Sequence, residues 1–301
     1  MSETAAARPR LRVLGWLGAA ALVALAARRI DFASLAATLR GAQLPWLLLA
    51  LACNAVANTS ARVRRWEALL SPLPCRKQAS FLDLARLLYA GYACSNLLPA
   101  RAGEAVRVLE LHRRRGYPAS GLVAVQLGEK MIEALSLGLV CGSLALLPGQ
   151  ARGPLVLAGS LALAGVVLLL SLPRRVPAEG GGFLHALRTV HARRSWARSL
   201  LWSMFSDTTD LLLVALCART LGIDAPPAAW GLVLISVNLA ILLPSTPGQV
   251  GVLEAGAVVA LASCGVAPAP ALAFALVYHA VHLVPSTTLG LLGMCLPWDR
   301  D

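Results

Sequence analysis

Two apolar segments of this chain are each broken in the middle by the same short string, and this constrains the fold more than any other feature. Residues 82–115 are interrupted at Asn96-Leu97-Leu98-Pro99-Ala100-Arg101-Ala102-Gly103-Glu104, and residues 229–264 at Leu242-Leu243-Pro244-Ser245-Thr246-Pro247-Gly248-Gln249. Both contain Leu-Leu-Pro-x-x-x-Gly, and Pro99 and Pro244 stand 145 positions apart, by subtraction of their numbers. Proline removes a backbone donor and breaks a helix. Each half-segment is then shorter than the ~20 residues needed to cross a bilayer. Broken apolar segments in matching halves are the mark of a transporter built from inverted repeats. Irregular backbone is tolerated at membrane depth only where protein or a wet cavity surrounds it. The two segments therefore predict re-entrant helical hairpins with Pro99, Gly103, Pro244 and Gly248 at their tips.

The surrounding sequence predicts continuous spans at 11–27, 44–61, 118–147, 153–172, 196–220 and 270–297, and a short interfacial helix within 30–43. The expected fold is an all-α polytopic membrane protein of about six transmembrane helices plus two re-entrant hairpins. It forms one domain over 1–301, with pseudo-repeats at approximately 11–147 and 153–297. Composition agrees: 57% of residues are apolar and only 14% charged, against about 25% charged in soluble domains. The formal net charge of +12 would otherwise point to nucleic acid, but the arginines lie in short loops between apolar runs, where they mark the cytoplasmic side. With the N-terminus inside, Arg62, Arg64, Arg65, Arg76, Lys77, Arg113–Arg115 and Arg174–Arg194 fall inside. The first hairpin then enters from inside and the second from outside. The expected location is the bacterial inner membrane. Seven cysteines without a CxxC pair predict neither a disulfide framework nor a zinc site.

Ionisable residues within apolar segments are costly and usually face a cavity or a partner. Arg101, Glu104 and Arg107 lie at the first tip, where a half-helix N-terminus and two arginines suit a phosphate; a neutralising Glu104–Arg107 pair is the structural alternative. Gln126, Glu129, Glu133 and Ser136 share one helical stripe, with Lys130 able to meet Glu133 at i,i+3. Ser199, Ser203, Asp207 and Asp210 form a second stripe; its acids could carry a coupling ion or pair with an arginine elsewhere. Glu254 follows the second tip. His279 and His282 have no evident third ligand, so no metal is expected. There is no Walker A loop, GxSxG or HExxH, so neither a cofactor nor enzyme activity is expected, and transport would be passive or ion-coupled.

The strings Asn96-Leu-Leu-Pro-Ala-Arg-Ala-Gly-Glu-Ala-Val-Arg107 and Leu243-Pro-Ser-Thr-Pro-Gly-Gln-Val-Gly-Val-Leu-Glu254 resemble the two hallmark motifs of the lysylphosphatidylglycerol synthase transmembrane-region family, also called the flippase-like domain family. The second string has Gln249 where that pattern has Gly. Glu129-Lys130-Met-Ile-Glu133 resembles the family's Glu-Arg-x-x-Asp. The resemblance implies a lipid flippase-like protein, the membrane half of the multiple peptide resistance factor without its soluble synthase half. Its implied partner is a membrane phospholipid or isoprenoid-linked lipid, bound by a polar, phosphate-bearing headgroup. Arg101 and Arg107 would hold the headgroup, and Glu104 would orient them or a positively charged group on the lipid. A homo-oligomer and a glycolipid or cell-envelope pathway partner are compatible with this reading. The rival readings are a membrane-embedded lipid-modifying enzyme using Glu104, Glu129 or a histidine as base, and a non-transporting subunit.

Overall fold

A computed structural model describes residues 32–98, 102–146, 152–171, 193–241 and 247–295. The first expected span, 11–27, and the tip residues Pro99, Arg101 and Pro244 lie outside the described residues. Among the described residues all regular secondary structure is helical and no strand occurs. Helix α1 is Phe32–Arg40, within the segment expected at the interface, and α2 is Leu44–Leu70. The first hairpin is α3 (Phe81–Leu97) and α4 (Ala102–Arg115), followed by α5 (Ala119–Ser143) and α6 (Arg152–Ser171). Then come α7 (Arg193–Thr220), the second hairpin α8 (Pro227–Ile241) and α9 (Val252–Ser263), and α10 (Pro268–Cys295).

Local chemistry sets these boundaries. Ser80 and Asp83 open α3 as a capping box: each side chain accepts the other residue's backbone N–H, at 3.2 and 2.9 Å. Proline stands first in α8 and α10, where its missing N–H costs nothing. Gly116 ends α4 and Gly265 ends α9, both with positive φ.

The surface is apolar and the interior is charged. Leu161 is 64% exposed and Leu201 67%, whereas Arg65 is 2% exposed and Glu129 2%. Water would reverse that arrangement; hydrocarbon favours it. The helices α2, α7 and α10 are each long and apolar enough to cross a bilayer. The hairpin arms are not. At 1.5 Å per residue, the 15 residues of α8 and 12 of α9 reach only about 22 and 18 Å, against a core of about 30 Å.

Both hairpins are closed antiparallel pairs. At the base of the first, Arg115 Nη2 donates to Asp83 Oδ2 at 2.7 Å, while nearer the tip Gly103 lies against Gly91. In the second, Gly256 meets the Ser236 carbonyl and Ala240. The first hairpin's base sits where α2 ends and α7 begins: Arg76 N–H bonds the Arg115 carbonyl and Ser71 meets Ser195. The second hairpin's base sits at the opposite end of the bundle, beside the turn that follows α7. The tips therefore point toward each other, and Gly248 lies against the Asn96 carbonyl. Each hairpin's first helix packs on the long helix that follows the other hairpin, α3 on α10 and α8 on α5.

One boundary differs from the sequence reading in a way that matters. The span expected to stop at residue 61 continues unbroken to Leu70. Arg62 and Arg65, read above as loop charges on the cytoplasmic side, are helical; Arg65 is buried and Arg62 mostly so. Their counter-ions lie on distant helices, so burying them removes the reason to end the span. Within α2, residues Cys53–Asn58 form a π-helical turn.

Candidate functional site

Four helices contribute a connected polar interior. On α2, Asn58, Arg62 and Arg65 follow at spacings of four and three and share a face. On α5, Glu129, Glu133 and Ser136 do the same, and on α7 so do Ser199, Ser203, Asp207 and Asp210. Helix α4 adds Glu104 and Arg107.

Arg65 is the hub. Its Nη2 donates to Glu129 Oε1 at 2.9 Å and to Glu133 Oε1 at 2.5 Å, and its Nη1 reaches Ser203 at 3.3 Å. Arg107 holds the other oxygen of Glu129 at 2.9 Å, and its guanidinium stacks over the Trp66 ring, 4.0 Å from the centroid. Glu129 is thus clamped between two arginines, one per carboxylate oxygen. That satisfies the rule that a buried charge must be paired and hydrogen-bonded. Two donors remain over: the Nε–H groups of Arg65 and Arg107 are buried and have no partner among the described residues.

Farther along α7, Arg62 pairs with Asp210 at 3.0 Å, and Asn58 donates to the same carboxylate at 2.5 Å. Asn58 accepts in turn from Arg62 at 2.8 Å and from Ser206 at 2.7 Å. Asp207 bonds Ser136, which also bonds Ser203 at 2.7 Å. The network opens at one side. Lys130 bonds Glu133 at 3.0 Å and approaches Glu104 at 3.8 Å, and its side chain is 51% exposed, with Glu104 at 38%.

The structure thus joins most of the residues singled out in the sequence. Both stripes face inward, Lys130 meets Glu133, and Asp210 finds an arginine. Arg107 pairs with Glu129 rather than with Glu104. Gln126 Nε2 donates to the Glu104 carbonyl at 2.6 Å, tying α4 to α5. Gly103 falls in the first turn of α4, pressed on Gly91, rather than in the turn itself. Glu254 stands apart from the network. It accepts the Gly251 N–H at 2.7 Å and meets His279 Nδ1 at 2.6 Å, while His279 Nε2 meets the Gly248 carbonyl at 2.8 Å. His282 packs against the Tyr278 ring, 4.7 Å between centroids. No cluster of metal-ligand residues occurs among the described residues. Arg65 and Arg62, with Asn58 and Ser206, are members that the sequence reading left out. The signal was Asn54, Asn58, Arg62 and Arg65, a polar stripe that runs past the end of the apolar run.

An apolar exterior around a buried, ion-paired interior defines a multi-pass α-helical membrane protein with a polar core. More narrowly, the lysylphosphatidylglycerol synthase transmembrane-region family model matches residues 12–290, and the chain belongs to that family. It is also 27% identical to glycosyltransferase AglD of Haloferax volcanii over 334 aligned positions, 91% of this chain and 53% of that one. The chain spans about half the length of that curated relative.

Proposed function

We propose that the protein carries a lipid with a polar, phosphate-bearing headgroup between the leaflets of the bacterial inner membrane, as a carrier and not an enzyme. Six spans, with the two hairpins re-entrant from opposite faces as an inverted repeat, enclose the polar core. The observation that carries the reading is the pair of hairpins that meet tip to tip beside a buried arginine–carboxylate network. Two short arms entering from opposite ends provide two gates around one site, which is what alternating access needs. A headgroup enters past Lys130 and Glu104. Arg101, directly before α4, and the spare Nε–H groups of Arg65 and Arg107 supply donors for phosphate. Glu129 and Glu133 hold Arg65, Glu129 also holds Arg107, Asp210 holds Arg62, Asp207 joins the network through Ser136, and Glu254 fixes the second tip. The lipid is a phospholipid, in line with the family's description, or an isoprenoid-linked lipid.

The test is mass spectrometry of lipid retained by the purified protein, with binding of phosphatidylglycerol to wild type and to Arg101→Ala. Loss of one charged hydrogen-bonding partner is worth roughly 1.5–3 kcal/mol, or about 10- to 150-fold in affinity. Equal binding by both proteins, with no phosphate-bearing lipid retained, would overturn the assignment.

The similarity to a protein named as a glycosyltransferase favours a second reading, in which this domain is the membrane partner of an enzyme acting on lipid-linked saccharide. Lipid analysis of a deletion strain separates the two. Under the carrier reading the lipid persists in the wrong leaflet; under the partner reading a glycosylated species disappears.

A further inference from the structure

Helix α10 touches both hairpin tips, and between the two contacts it carries Pro285. Toward its start, His279 bonds the Gly248 carbonyl of the second tip at 2.8 Å. Just past the proline, Ser286 and Thr287 accept from Asn96 Nδ2 of the first tip, at 3.1 and 2.9 Å. Farther on, Gly290 presses on the Tyr89 carbonyl of α3 so closely that a Cβ there would lie 2.3 Å from it. The first segment of α10 is therefore tied to one hairpin and the last segment to the other.

Proline has no N–H, so the carbonyl four residues earlier loses its helical partner. Here that carbonyl is Val281. It does not go unsatisfied, because Asn54 Nδ2 on α2 donates to it at 2.8 Å. Asn54 lies in the π-helical turn Cys53–Asn58. Such turns widen a helix and re-aim its side chains, and they are frequent at functional positions. Asn54 is linked onward to Asn58 at 3.4 Å, and Asn58 to the Arg62–Asp210 pair. Two interrupted helices thus face each other, and the side chain displayed by one interruption satisfies the group freed by the other.

We propose that Pro285 and Asn54 form a hinge that lets the two ends of α10, each with its own hairpin tip, move relative to one another. The swing requires no buried carbonyl to be stripped of its partner, because Asn54 follows Val281 on a side chain rather than on the helical lattice. The link through Asn58 connects the hinge to the charged interior, so occupancy of that interior biases the hinge. The inference stands apart from the nature of the cargo.

The test uses the full chain in lipid nanodiscs. Pro285→Ala restores an N–H opposite the Val281 carbonyl and completes the helix. Hydrogen exchange should then slow at least tenfold over residues 282–289, and protection should rise at both tips, 94–98 and 247–251. Unchanged exchange in all three segments would overturn the hinge. A stability cycle tests the cap separately. Asn54→Ala should lower Tm clearly in the wild-type background and distinctly less with Pro285→Ala, where the carbonyl already has a partner and only the 3.4 Å link to Asn58 is lost. An equal loss in both backgrounds would show that Asn54 does not serve that carbonyl.

Discussion

Arg65 sets the terms for every other residue in the interior. It holds two carboxylates at once, at 2.9 and 2.5 Å, and its side chain is buried. Breaking a buried pair by removing one partner costs about 3–5 kcal/mol, because the remaining charge is stranded. Arg65→Met should therefore unfold the protein or lower its Tm severely in detergent. Arg107→Met should cost clearly less, since Arg65 still holds Glu129. Thermal unfolding of the two variants side by side checks the order; equal losses would mean that Arg65 is not the hub. The same logic separates the acids of α7. Asp210→Asn strands Arg62 and should be the harsher change, while Asp207→Asn keeps a hydrogen-bonding partner for Ser136 and leaves no cation behind.

At the scale of the element, the hairpins depend on backbone approach. A Cβ on Gly103 would fall 1.8 Å from the Gly91 carbonyl oxygen, and neither helix backbone can yield that much. Gly103→Ala should open the first hairpin at a cost of at least about 3 kcal/mol, beyond ordinary overpacking. The second tip makes the opposite prediction. Gln249 has φ 61, in the left-handed region that costs an L-residue about 1–2 kcal/mol. Gln249→Gly should relieve that, less the entropy glycine gains on unfolding, and raise stability by about 1 kcal/mol. A lower Tm would show that the Gln249 side chain has a packing role. These two positions also show what the sequence could reveal. The family pattern has glycine at 249, and the backbone there has the torsion that favours it. The hairpins were legible because proline and glycine act locally. The stripes on α5 and α7 were legible because spacing alone defines a face. Arg62 and Arg65 were not, because hydropathy stops at the first charge and their counter-ions lie 64 to 148 residues away in sequence. For the same reason Arg107 could be assigned to Glu104, three residues earlier, but not to Glu129. Gly103 was legible as a special position, while its partner Gly91 was visible only once the arms were packed.

For the whole molecule, the decisive quantity is which end of the bundle each hairpin enters. Arg76, Lys77, Arg113, Arg114 and Arg115 gather at the base of the first hairpin, and Arg194 and Arg198 stand at the start of α7 beside it. The base of the second hairpin has Asp224 before it and no Lys or Arg within Pro227–Ser263. Lys and Arg in short loops are held back on the cytoplasmic side during insertion. The proposed topology accordingly has the first hairpin entering from the cytoplasm and the second from the far side. Single cysteines at Arg114 and Asp224, in a background stripped of native cysteine, should behave oppositely toward a membrane-impermeant thiol reagent in intact cells: position 224 labels, and position 114 labels only after the membrane is opened. Had α3 and α4 each crossed the membrane, the paired crossings would leave this result unchanged, so a third site is needed. A cysteine at Asn96, beside the first tip, distinguishes the cases. A tip held at mid-depth against Ser286, Thr287 and Gly248 reacts slowly from either side, and its rate depends on which gate is open. A tip exposed in an outer loop reacts from outside as fast as position 224. Fast outside labelling at 96 would exclude the re-entrant hairpin and, with it, the two-gate architecture on which carriage of a headgroup depends.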